Sequence, residues 1–422
     1  MNSELKANPF LCSGRSKAKR VPWVMLFGIA VLLALPGCTH QLKNHNKLTT
    51  NKAFPQRLSV LYTGHRYGEI EPCGCQAVPL GGIEREYNVL QFWGSFEDRD
   101  LIYLGGGTTF VPDPSTFDVK LLDHYRVKAK HVLEGLASLG VQVLSPSAED
   151  LVLGVETLQK LASETSMALV NANLVHSGTE DTVFSSHVEW EYPEGSIVVI
   201  GVSDGTASKK YPSLPNISVL DPIVAVERVL GGLEKKQNRF IILISSLSDE
   251  RRTKLLSAVP QINYVVGGTP AQATPDVMML SGNTLYSNPP DRARWISRVD
   301  LNLKLPFQGF YSEAEAETFG IYRAKWQKQL NTIQSRLAGK LSTRKRAELN
   351  AKKATYQKYL DRALSIPIDA SEDASTFDGT VVRLSSSFDG QNKMTEIVNR
   401  YKNVVRTIAV DSAAGTQNTD SK

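Results

Sequence analysis

Between residues 58 and about 305, short apolar runs alternate with longer stretches whose apolar positions recur every three or four residues. The short runs predict strands at 58–62, 101–104, 141–144, 167–171, 196–202, 240–244, 264–266 and 295–303. The longer stretches predict helices at 84–96, 117–139, 155–164, 222–236 and 250–258. Regular strand–helix alternation is the signature of an α/β domain, because each crossover helix returns the chain to the same sheet. Glycine clusters at Gly105-Gly106-Gly107 and Gly267-Gly268 follow strands directly, as tight strand-end loops require.

Residues 312–365 follow another rule. They hold no proline, and Phe319, Tyr322, Trp326, Leu330, Ile333, Leu337 and Leu341 are spaced by 3, 4, 4, 3, 4 and 4. That spacing stays close to the natural helical repeat. Gly339 supplies a stop, and Ser342-Thr343 a new N-cap. A second helix, 344–364, is expected to fold back antiparallel with Leu349, Tyr356, Leu360 and Leu364 inward. A strand at 380–384 and a helix at 393–404 follow, within a segment (376–410) expected to rejoin the main domain. The polar residues 411–422 read as a disordered tail by composition.

At 422 residues, 41% hydrophobic and 22% charged, the chain can bury a large core. Of its formal +5, residues 1–37 contribute +4 through Lys6, Arg15, Lys17, Lys19 and Arg20 against Glu4. The remainder is near neutral, which argues against a nucleic-acid partner. The same N-terminus has the order of an export signal: basic residues to Arg20, an apolar run from Val21 to Leu35, then Leu35-Pro36-Gly37-Cys38. Fifteen apolar residues are short for a membrane span. The LPGC sequence resembles the bacterial lipobox, which implies lipidation of Cys38 and membrane attachment. Thr39 after it, in place of Asp, implies an outer-membrane lipoprotein facing the periplasm or cell surface. Residues 38–57 read as a flexible tether. Without Cys12 and with Cys38 lipidated, Cys73 and Cys75 are the mature thiols.

The stretch LSVLYTGHRYGEIEPCGCQAVPLGGIEREYNVL, from Leu58 to Leu90, resembles the first metal-binding loop of the calcineurin-like metallophosphoesterases in their 5'-nucleotidase branch. Its PCGC and LGG-x-x-R elements resemble one bacterial subgroup. The resemblance implies an α-β-β-α sandwich of two mixed sheets over 58–305, here carrying an inserted helical hairpin. It also implies a dinuclear metal centre built at the strand ends. The family's paired Asp and His fall on His65 and Tyr67, and its Gly-Asp on Gly107-Thr108. Its Gly-Asn-His-Glu falls on Ser147-Ala148-Glu149-Asp150, its later lone histidine on Ser246, and its final Gly-His-x-His on Gly268-Thr269-Pro270-Ala271. Only His65 retains a strong donor, and no histidine lies beyond His187. Hydroxyls are poor ligands for Zn²⁺ or Mn²⁺ at neutral pH.

The expectation is therefore a degenerate, non-catalytic domain that binds or scaffolds and uses no cofactor, with the hairpin 312–365 as a surface for a protein partner. One alternative is a residual hydrolase with a divalent metal near His65, Glu149 and Asp150. Another is a thiol–disulfide protein using Cys73 and Cys75, whose Cys-Gly-Cys spacing could close a strained disulfide, hold a soft metal or act in redox exchange. Gly81-Gly82 is expected to form the turn before the helix at 84–96. Arg85 then meets either a phosphate or Glu69 or Glu71.

Overall fold

A computed structural model describes residues 47–49, 52–74, 78–94, 98–205, 211–212, 214–369 and 371–417. The signal segment, Cys38, most of the tether, Cys75 and residues 418–422 lie outside the described residues.

Side-chain alternation in the predicted strands decides the layers, since successive residues of a strand face opposite sides. From the strand Arg57–Gly64, Leu58, Val60 and Tyr62 enter one core, whereas Leu61 enters another on the opposite face. In Gly195–Val202, wholly buried, Ile197 and Val199 turn to the first core and Val198, Ile200 and Val202 to a third. The first core lies between two stacked seven-stranded sheets. The other two lie between a sheet and its covering helices. Each such fully buried aliphatic side chain contributes about 1.5–3 kcal/mol.

One sheet runs in the order Lys47–Thr49, His187–Tyr192, Gly195–Val202, Arg239–Ser245, Tyr264–Val266, Thr284–Ser287, Met278–Ser281. The other runs Phe310–Tyr311, Ser375–Arg383, Trp295–Asn302, Arg57–Gly64, Asp100–Gly107, Val143–Pro146, Ala168–Leu169. Helices Ile83–Phe92, Leu122–Leu139, Val155–Ser163 and Met394–Gln417 serve the second sheet, and Pro222–Gly232 and Asp249–Ala258 the first. This is the anticipated four-layer sandwich of two mixed sheets. The C-terminal strand Ser375–Arg383 does rejoin it, pairing antiparallel with Trp295–Asn302.

Several boundaries move for local reasons. The second helix begins at Leu122, because Asp118 accepts from Lys120 N and winds residues 119–121 into a 3₁₀ turn. The helix from Pro222 ends at Gly232, not 236, at a glycine pair. The final helix continues to Gln417, so residues 411–417 are not the structureless tail that composition implies. His187–Tyr192 escapes the apolar-run criterion because Glu189 and Glu191 alternate with its apolar side chains. Both carboxylates are buried, Glu191 lying 2.9 Å from Lys236 and Glu189 3.9 Å from Arg239.

The inserted hairpin comprises Glu313–Leu337 and Thr343–Ser365, capped by Ser312 and Ser342. Leu330, Ile333, Leu349 and Leu360 are buried along it, and Phe319, Ala363 and Ile366 root it in the inter-sheet core. Leu364 is exposed, contrary to the expected inward face; Ala363 occupies the buried position, three residues after Leu360.

The first loop is stapled from beneath. Arg66 Nη2 lies 2.6 Å from Glu86 Oε2, with the two side chains 2% and 0% exposed. The Tyr103 hydroxyl donates to the other Glu86 oxygen, and Arg66 Nη1 donates to Glu69 O at 3.3 Å. One loop, one helix and one strand thus share a single buried charge pair. Glu86→Ala would strand the guanidinium in the core and is expected to cost about 3–5 kcal/mol in urea unfolding, with the double variant Arg66→Met, Glu86→Leu recovering part of that loss.

Candidate functional site

In stacked α/β sheets a site forms where the C-terminal ends of the strands release their loops together. Here those loops touch in sequence. His65 follows Arg57–Gly64 and packs its ring on Gly107, where any Cβ would come within 2.8 Å of the imidazole. Ser147 Oγ donates to Thr108 Oγ1 at 3.2 Å, and Asn171 Nδ2 to Ser203 Oγ at 2.8 Å. Asp204 N donates to Ser246 Oγ at 3.2 Å. His65 then closes the ring on Gly268 from the opposite sheet. The positions suggested by the sequence frame are therefore brought to one mouth.

What they do there differs from ligation. His65 is buried, and its Nε2 lies 2.6 Å from Gly268 O while Thr108 N donates to its Nδ1 at 3.4 Å. That pattern assigns the Nε2–H tautomer, with Nε2 donating to a carbonyl and Nδ1 accepting from an amide. Neither nitrogen keeps a lone pair for a cation. Burial lowers the His65 pKa, against the pull of the Gly268 carbonyl and of Asp291, and favours the neutral ring. His65 holds φ of 42° and Tyr67 54°, and the touching segment places Arg292 at 60° and Ala293 at 45°. Arg292 N donates to His65 O at 2.7 Å, which locks the two unusual backbones together.

Asp150 is fully buried but faces backbone, not the mouth. Its oxygens accept from Phe110 N at 2.8 Å, from Thr109 N at 3.0 and 3.1 Å, and from Ser147 N at 3.1 Å. As a candidate ligand it is corrected to a clamp between two loops. Burial pushes its carboxyl up to about 7, although the amide donors pull the other way. Glu149 does face the interior: burial raises it first, with Asp204 adding repulsion and Ser147 a lowering hydrogen bond. Asp204 itself pairs with Arg251, and Glu69 lies 3.6 Å from Arg292.

Arg85 is not at the mouth. It lies 2.6 Å from Asp389 and donates to Pro79 O at 2.6 Å, so neither a phosphate nor Glu69 nor Glu71 is its partner; it binds the C-terminal segment instead. Gly81 and Gly82 do form the turn, with φ of 85° and 95°, and a Cβ on Gly82 would strike Pro72 at 2.8 Å. Cys73 is half-buried in that loop, accepting from Leu80 N at 3.3 Å. Cys75 lies outside the described residues.

Sequence reasoning overlooked Tyr62. Its fully buried hydroxyl has no hydrogen-bond partner among the described residues and sits among Gly64, Gly106 and Gly267, on the mouth's floor. Burial raises its pKa far above neutrality, so it is a phenol and not a phenolate ligand. The signal was present as glycines at three strand ends, which leave room for one large ring.

The residues present do not fit a dinuclear metal centre. His65 is spent on the backbone, Ala148 and Ala271 have no donor, and among the described residues no three His, Cys, Asp or Glu side chains could share an ion. A groove of about 630 Å³ lies elsewhere, between helices, lined by Arg126, Lys130, His131 and Arg400 among others.

Asp150→Asn would turn an amide NH₂ toward amides that also donate, at an expected cost of about 1–3 kcal/mol in urea unfolding. The folded carboxyl, at about 7 against an ordinary 3.8, keeps its proton where the unfolded chain has lost it. Stability is therefore expected to fall as pH rises from about 4 to about 7, and this slope should flatten in the Asn variant.

No family model and no curated protein matches the chain by sequence. Solved structures do resemble it. A 5'-nucleotidase precursor from Thermus thermophilus superimposes with a TM-score of 0.52 at 12% identity, over 83% of this chain and 59% of that one. The calcineurin-like phosphoesterase YfkN from Bacillus subtilis gives 0.51 at 10% identity, over 83% of this chain and 98% of that one. The chain thus spans 59% of the Thermus protein's length. At such identities the likeness concerns architecture, and the architecture is that of the 5'-nucleotidases and calcineurin-like phosphoesterases.

Proposed function

We propose that the protein is a lipid-anchored component of a bacterial envelope in which a phosphoesterase fold serves as a binding or scaffolding body and not as a catalyst. The observation that carries this reading is the engagement of both His65 nitrogens, one with Gly268 O and one with Thr108 N. A two-metal hydrolase needs several free donors around a shared pair of ions, and here the single surviving imidazole closes the mouth instead. Asp150 and the Asn171 and Asn173 amides are likewise consumed by neighbouring backbone. The LPGC sequence ending at Cys38, with the polar segment after it, supports anchoring by lipid and placement at the outer membrane. Among the described residues no helix is long and apolar enough to cross a membrane.

Metal content and turnover, measured together on purified protein, test the reading. After incubation with Mn²⁺ or Zn²⁺ and desalting, far less than one ion per chain should remain. Hydrolysis of 5'-AMP and of p-nitrophenyl phosphate should stay at background and be unchanged by His65→Ala. Stoichiometric metal with turnover abolished by Glu149→Gln would establish the residual hydrolase instead. A thiol–disulfide role would show as exchange activity lost in the Cys73→Ser, Cys75→Ser double variant.

A further inference from the structure

The near-neutral balance of the mature chain conceals a segregation of charge. Between Glu313 and Ser365 the sequence carries twelve Lys or Arg against five acids, Glu313, Glu315, Glu317, Glu348 and Asp361, a net of +7. Residues 38–422 sum to +1, so everything outside this segment carries −6. The fold places this charge on the hairpin of helices Glu313–Leu337 and Thr343–Ser365, with Lys340 in the turn between them. Glu348 holds Lys345 and Lys352 at 2.9 and 3.3 Å. Lys328, Lys340, Arg344 and Lys358 are exposed and make no ion pair among the described residues.

Aromatic rings are interleaved with these cations. Trp326 stacks on Tyr356 at 5.3 Å and lies 5.1 Å from Tyr359, with the Lys325 ammonium 4.6 Å from the Trp326 ring. Tyr322 and Tyr359 are 39% and 45% exposed, and Ile321 is 62% exposed. Rings with polar tips beside long cationic side chains suit the headgroup layer of a lipid bilayer, where Trp and Tyr partition and Lys and Arg meet phosphate. A helix of 25 residues is about 37 Å long, long enough to carry this surface clear of the body.

We propose that the hairpin is a docking arm for an anionic phospholipid surface. The proposal names the partner left open above, and its choice of lipid over nucleic acid rests on the envelope reading. Charge complementarity sets the orientation, since an anionic surface attracts an arm of +7 and repels a body of −6. Topology provides a second point of attachment. The strand Lys47–Thr49, which falls within the stretch expected to be a flexible tether, is one edge of its sheet, and the hairpin packs on Met278–Ser281 at the other. Six strand spacings separate those edges, about 29 Å. A lipid on the tether and the hairpin would together hold the body at two separated points, where either alone would let it swivel. This surface favours a membrane over the protein partner that its helical pattern first suggests.

The test uses unlipidated chain beginning at Thr39, which retains every described residue, so its outcome is independent of whether Cys38 is lipidated. Lipidation itself is read separately, from the mass of the N-terminal peptide. Flotation with phosphatidylcholine vesicles containing about 30% phosphatidylglycerol should capture the protein at about 50 mM salt and release it at about 500 mM, and pure phosphatidylcholine should not capture it. The triple variant Lys328→Glu, Lys340→Glu, Arg344→Glu touches neither cap nor core; it should keep its helicity and thermal midpoint while losing affinity about tenfold or more. Three results would overturn the proposal: no binding to anionic vesicles at low salt, equal binding by the folded triple variant, or tighter binding to a DNA duplex than to vesicles at the same salt.

Discussion

A polar group sealed away from water must find its partner inside the chain, and at this mouth the demand converges on Asp150. Its carboxyl group is fully buried and accepts from the backbone amides of Thr109, Phe110 and Ser147, which belong to loops leaving two different strands. Those loops present Thr108 to His65, and His65 reaches Gly268 on the opposite sheet. Without the clamp the amides would lack an acceptor, and the contact between the two sheets at the mouth would lose its support. The remainder of the site is arranged around that requirement. Asn171 and Asn173 bridge to Ser203 and to carbonyls, Asp204 takes Arg251, and Tyr62 fills the floor.

Under the proposed function, this arrangement is an active-site frame without its donors. A metal centre places several acids and imidazoles together because the cations cancel their repulsion. When the donors become Thr, Ala and Ser, the charge that needed cancelling disappears, and the loops can be joined by neutral hydrogen bonds. The strained backbones at His65, Tyr67, Arg292 and Ala293 remain, locked by Arg292 N on His65 O. They hold the two segments together at the mouth.

Charge is organised on a larger scale as well. The interior pairs its ions closely, as in Arg66 with Glu86, whereas the hairpin leaves Lys328, Lys340, Arg344 and Lys358 exposed to water. The first arrangement stabilises a loop at the mouth. The second creates a field that extends about a Debye length from the surface. They act over different distances, so the hairpin can engage a surface while the mouth remains closed.

Much of the architecture was legible in the sequence. The short, β-branched run Ile197-Val198-Val199-Ile200 reads as a buried strand, and the spacing from Phe319 to Leu337 as a helix, because both are local properties. The vacancy at Ala148 and Ala271 was equally plain, since a residue without a donor cannot ligate in any fold. The strand His187–Tyr192 was hidden because its two glutamates are neutralised by Lys236 and Arg239, which are distant in sequence. Arg85 and Arg66 show the same limit: both are arginines near one turn, yet one binds Asp389 and the other Glu86. The elements, the absence of a donor at Ala148 and Ala271 and the uneven charge can be read from the chain alone, because all are local or additive properties. That His65 and Asp150 hold backbone emerges from the folded arrangement, because a polar group's role depends on which distant atoms burial brings within hydrogen-bonding range.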